Sequence, residues 1–167
     1  HESLALPAIL QMAFDYVTQD VIPCLDDPPA RPSRINLSAY RDVVLARFGN
    51  PHVRDTNQRV AMDGFSKIPG FILPTLRERL AAKASCAATA MLPALFFAFL
   101  QRWHDRALPF AYQDGVMDVD AAHALFDKPD PLDAFCRDPM LWGPLAGDPV
   151  LTAHIRSAYA RVQQFIK

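Results

Sequence analysis

Arg47, Arg54, Arg59 and Lys67 follow one another within the segment from Tyr40 to Pro74, interleaved with Asn50, Asn57 and Asp63 and with apolar residues spaced for packing. Guanidinium and ammonium groups fixed in a core-forming segment donate charge-assisted hydrogen bonds in set directions, which suits a small polyhydroxylated or carboxylated ligand. Arg59 and Lys67 are the strongest candidates. Asp63-Gly64 reads as a helix end and Pro69 as the start of the next helix, so Lys67 is expected on a connection that can aim its ammonium inward. The plainer alternative pairs Arg59 with Asp63 at i,i+4 on a helix surface and leaves Lys67 a solvated cation, worth only about a few tenths of a kcal/mol.

Other chemistry is thinly represented. No Gly-x-Gly-x-x-Gly or phosphate loop occurs, and His1, His52, His104, His123 and His154 lack metal-ligand spacing, so each reads as an isolated surface or capping residue. Ser66 has no nucleophile elbow around it, and Cys24, Cys86 and Cys136 form no Cys-x-x-Cys pair. Three widely spaced cysteines imply reduced thiols in a cytoplasmic protein. No catalytic, cofactor-binding or metal-binding residue is expected in the chain.

The 167 residues can bury roughly 70% of their extended surface, enough for one domain, expected over residues 1–167. With 51% hydrophobic residues, 17 Lys and Arg against 18 Asp and Glu, and net charge −1, neither a nucleic-acid nor a membrane partner is indicated. The longest uncharged run, Ala84 to Gln101, contains Ser85, Thr89 and Pro93 and has poor membrane character. The chain opens at His1 with neither an initiator Met nor a signal-like segment, as expected of a piece of something longer.

Apolar residues recur at three and four spacing almost throughout, which predicts an all-α domain. Leu6 to Val17 forms one stripe, ending before Pro23. Residues 26 to 34 read as a proline-rich loop, and a second helix is expected from Ser38 to Phe48, stopped by Gly49. Asn50-Pro51 opens a third helix carrying Val53, Val60 and Ala61 inward, and a fourth runs from about Pro69 past Leu80 with Arg77, Glu78 and Arg79 outward. Ala84 to His104 is apolar nearly all round and is expected at the centre, with Pro93 a candidate kink. Asp118 to Phe126 is a short helix, and Asp130-Pro131 and Asp148-Pro149 each start another, the last reaching Ile166.

The pattern Arg47-Phe48-x-Asn50-Pro51, Arg54-Asp55-Thr56, Gln58-Arg59-Val60-Ala61-Met62-Asp63-Gly64 and Lys67-Ile68-Pro69 resembles the C-terminal domain of the mannitol dehydrogenase family, long-chain polyol and hexuronate dehydrogenases that use a nicotinamide cofactor. The resemblance is close from His1 to about Lys83 and looser beyond. It implies a multi-helical fold like the C-terminal domain of 6-phosphogluconate dehydrogenase. It also implies an N-terminal Rossmann domain, outside this sequence, that holds NAD. Arg59 and Lys67 match the spacing and context of an Arg and a Lys that bind substrate in that family, a small sugar acid or polyol.

The family's general-base Lys and its Asn-x-x-His lie upstream of residue 1, and His1-Glu2 matches a later His-Glu, so His1 is not the reacting histidine. The isolated chain is therefore expected to be inactive. Ala61-Met62-Asp63-Gly64 favours the fructuronate reductase (D-mannonate oxidoreductase) branch over mannitol 2-dehydrogenase. A non-catalytic helical binding module is the reading from a different class. Phe65 stands where close relatives usually carry Ser, which removes a hydroxyl near the ligand and leaves substrate choice open.

Overall fold

The computed structural model describes residues 7–25, 35–50, 52, 59 and 62–165. Among them all regular structure is helical, as the periodicity predicts. Leu6, the loop over residues 26–34, Val53, Val60 and Ala61 of the expected third helix, and Ile166 lie outside the described residues. The chain divides into two compact units, residues 1–60 and 61–167.

In the first unit α1, Pro7–Asp15, widens into a π-helical turn, Tyr16–Val21, and closes with a 3-10 turn, Ile22–Cys24. The helical path therefore runs past Pro23, because a proline at the start of a 3-10 turn is not asked for its missing N–H. Helix α2, Leu37–Phe48, begins one residue before the expected start, where the Asn36 side chain accepts from the Ala39 amide at 3.0 Å. Gly49 ends it, donating to the Leu45 carbonyl at 3.0 Å.

In the second unit α3, Gly64–Lys67, passes through a π-helical turn, Ile68–Ile72, into α4, Leu73–Ala81. The expected start at Pro69 is thus five residues late. Pro69 and Pro74 do not break the path because the ladder widens at the first of them, and the Leu73 amide reaches back five residues to the Ile68 carbonyl. At the far end Arg79, expected to point outward, is half-buried and donates to the Ser85 carbonyl at 2.8 Å. Arg77 and Glu78 are exposed as anticipated.

Helix α5, Ala87–His104, is the apolar centre, with Ala90, Pro93, Ala94, Phe97 and Leu100 buried. Around it lie α6, Val119–Phe126; α7, Pro131–Cys136; α8, Pro139–Trp142; and α9, Pro149–Phe165, which is its main packing partner. Ala90, Ala94 and Ala98 present a small-residue ridge four apart on α5, and Leu151, Ile155, Ala158 and Val162 of α9 are buried with them in one core. Aspartate caps open all four of these outer helices: Asp118, Asp130, Asp138 and Asp148 each accept a backbone amide two or three residues on, at 2.8–3.0 Å. Asp138-Pro139 carries the same start signal as Asp130-Pro131 and was not among the expected helix starts. At Asp130 the Asp133 amide, then the Arg156 guanidinium at 2.8 Å, hold the carboxyl below its ordinary range.

No helix among the described residues is long and apolar enough to cross a membrane.

Candidate functional site

Lys67 lies at the end of α3, not on a connection. The turn before that helix is tight: Asp63 is left-handed at φ 66°, and Gly64 packs under the Phe96 ring. A Cβ on Gly64 would fall 2.1 Å from Phe96 Cε2, so only glycine allows this approach. Lys67 is half-buried, and its ammonium turns back to donate to the Met62 carbonyl at 2.9 Å. The cation is therefore aimed by the geometry of residues 62–64 and does not float in solvent. Gly64→Ala is expected to destabilise the protein by about 1–3 kcal/mol through overpacking, and Phe96→Ala in the same chain to recover part of it; chemical denaturation of the single and double variants checks this.

Helix α3 has no local side-chain cap. Instead, the Phe65 amide donates to Asp114 Oδ2 at 3.0 Å, and the Tyr112 hydroxyl donates to the same oxygen at 3.0 Å. Burial, then the neighbouring Asp114 charge, pushes the Tyr112 phenol far above its ordinary value, so it stays a hydrogen-bond donor at any working pH. Phe65 meets Phe96 edge to face at 5.3 Å, so its side chain is committed to packing.

Arg59 is helical and exposed, and belongs to the first unit, whereas Lys67 belongs to the second. In the first unit Arg47 is exposed over the Phe48 ring at 5.9 Å, and Asn50 accepts from the His52 amide at 2.9 Å. Arg54 and Asn57 lie outside the described residues.

Arg41 was not singled out from the sequence, yet its side chain is only 10% exposed. Its Nη1 donates to Thr18 Oγ1 at 2.9 Å, its fork grips Asp42, and the guanidinium covers the Phe14 ring at 4.1 Å. Phe14 and Thr18, four apart on one face, are the signal that could have found it. His104 and His123, read as isolated, face each other with their Nδ1 atoms 2.9 Å apart between α5 and α6. They are brought together by tertiary packing that sequence spacing does not show, and no third ligand joins them: no cluster of three metal-ligating side chains exists among the described residues. A cavity of about 410 Å³ lies elsewhere in the second unit, lined by Phe97, Gln101, Phe126, Arg156 and Tyr159 among others, with neither Lys67 nor Arg59 in its wall.

Residues 1–163 match the family model described as the mannitol dehydrogenase C-terminal domain. A D-arabinitol 4-dehydrogenase of Ralstonia nicotianae is 56% identical over 163 residues, 98% of this chain and 34% of that protein. A D-arabinitol 4-dehydrogenase of Klebsiella pneumoniae is 50% identical over 166 residues, 99% of this chain and 35% of that protein. Among solved structures, the mannitol 2-dehydrogenase of Pseudomonas fluorescens, in a ternary complex with NAD and D-mannitol, superposes with a TM-score of 0.76 at 22% identity, covering 92% of this chain and 31% of that one. The chain thus spans about a third of the length of the curated relatives it matches. The likeness to the solved enzyme extends to the all-helical fold.

Proposed function

Since the chain belongs to the mannitol dehydrogenase family, as its C-terminal domain, we propose that it is the substrate-binding part of a nicotinamide-dependent dehydrogenase acting on a linear polyol of the D-arabinitol class. The observation that carries this reading is the 56% and 50% identity to two D-arabinitol 4-dehydrogenases over nearly the whole chain. The sequence pointed instead to the D-mannonate and D-fructuronate pair on the strength of residues 61–64 alone, and no hexuronate enzyme stands among the relatives described above. The neutral polyol is therefore the first reading and the hexuronate the second.

A dinucleotide cradle of the Rossmann type needs a glycine-rich turn from a strand into a helix, and no Gly-x-Gly-x-x-Gly occurs in the sequence. NAD, which would supply hydride transfer, is in this reading held by a Rossmann domain encoded outside the sequence. Lys67 and Arg59 each donate hydrogen bonds to substrate hydroxyls, and a cation held in place loses less freedom on binding than a mobile one. Exposed Ile35, Tyr40 and Val43, on and beside α2, suit contact with a further domain of the same protein.

The test is steady-state kinetics of the full-length protein on D-arabinitol, D-mannitol, D-mannonate and D-fructuronate with NAD(H) and NADP(H). The highest kcat/KM is expected for D-arabinitol. A hexuronate preference would replace the first reading with the second, and turnover of none of them would favour the non-catalytic module.

A further inference from the structure

The Phe65, Ser66 and Lys67 amides at the start of α3 each have an acceptor, but none of these acceptors is a side chain of the helix's own segment. The Ser66 and Lys67 amides take the Asp63 carbonyl at 3.2 and 2.9 Å, and the Phe65 amide takes Asp114 Oδ2. Asp114 is itself oriented, since its Oδ1 accepts from the Val116 amide at 3.1 Å. One carboxylate, 49 residues away in sequence from the amide it holds, thus replaces the missing N-cap of the short helix that ends in Lys67.

We propose that Asp114, with Tyr112 as its second arm, is a positioning residue that sets the direction of the Lys67 ammonium toward substrate. The path is short. Asp114 fixes the Phe65 amide, the Phe65 amide fixes the Asp63-Gly64 turn, and that turn presents the Met62 carbonyl on which Lys67 Nζ rests at 2.9 Å. Without the carboxylate a buried phenol and a helix amide both lose their acceptor, and the turn relaxes. A cation displaced by about 1 Å loses much of its effect on a reacting ligand.

The inference rests on the reading of Lys67 as a substrate ligand, and a double-mutant cycle in the full-length enzyme separates the two. Lys67→Ala, Asp114→Ala and the double variant are compared by kcat/KM, with melting temperature followed in parallel. Asp114→Ala is expected to lower kcat/KM by about tenfold in the parent and to change it little once Lys67 is gone, while lowering the melting temperature in both backgrounds. Asp114→Asn keeps an acceptor oxygen and is expected to recover most of the activity.

Equal kinetic cost of Asp114→Ala in both backgrounds, or no cost in either, overturns the inference and leaves Lys67 as a ligand. A silent Lys67→Ala overturns the site reading and the inference with it. If Asp114→Ala does not fold, Tyr112→Phe, which keeps the ring and removes the hydroxyl, runs the same cycle with the same criteria.

Discussion

Lys67→Ala in the full-length enzyme is expected to lower kcat/KM for the preferred polyol by about ten- to a hundredfold, the loss of a charge-assisted hydrogen bond worth on the order of 1.5–3 kcal/mol. Cofactor affinity is expected to stay within about twofold, because in the proposed reading NAD is held by a Rossmann domain encoded outside the sequence. Arg59→Ala is expected to act in the same direction. A hexuronate, if turned over, loses more than a neutral polyol, since its carboxylate forfeits a full charge interaction.

The control is Arg77→Ala, exposed on α4. Arg79 is unsuitable because it donates to the Ser85 carbonyl. Were Lys67 an ordinary solvated cation, its removal would leave kcat/KM at the Arg77→Ala level and change stability by less than about 1 kcal/mol. Lys67 is half-buried and its ammonium rests on the Met62 carbonyl, so the kinetic comparison decides between the two roles.

How much of this was readable in advance depended on the range of the interaction. Helix starts at Asp118, Asp130 and Asp148 are local events, one side chain capping an amide two or three residues on, and the sequence shows them. The all-α fold follows equally from the spacing of apolar residues. The start of α3 was misread for the opposite reason: its cap is Asp114, far along the chain, and Pro69 looks like a helix start only if a π-helical turn is not anticipated.

Arg41 was overlooked because a cation's burial depends on which helix lies over it, here Phe14 and Thr18 of the preceding helical run. Family membership was legible in the motif residues from Arg47 to Pro69, and the match over residues 1–163 bears it out. The branch suggested by residues 61–64 finds no support in the two relatives matched over nearly the whole chain, since four residues carry too little information to fix a substrate.

The second large effect is expected in the core. Trp142, at the end of α8, is fully buried, stands edge to face on Phe135 at 5.6 Å, and donates from Nε1 to the Phe135 carbonyl at 2.7 Å. Trp142→Ala is expected to destabilise the protein by about 3–5 kcal/mol, because removing an indole from a close-packed site leaves a cavity that rigid neighbours fill only in part. The orphaned Phe135 carbonyl adds to this, as a buried acceptor without a partner costs about 1–3 kcal/mol.

Trp142→Phe separates the two contributions. It keeps most of the apolar volume and loses the donor, so its cost is expected near the hydrogen-bond figure alone and well below that of alanine. Denaturant unfolding at fixed temperature gives both values from the shift in midpoint at constant slope. Equal costs for the two variants would show that the hydrogen bond to Phe135 outweighs packing, and a loss below about 1 kcal/mol for alanine would mean that Trp142 does not stand in the core as described. Its neighbours argue otherwise: Leu141, Phe135, Cys136 and Leu151 are all buried around the same junction of α7, α8 and α9. A void there is bounded by three short-linked helices, each started by an aspartate cap, that have little freedom to collapse into it.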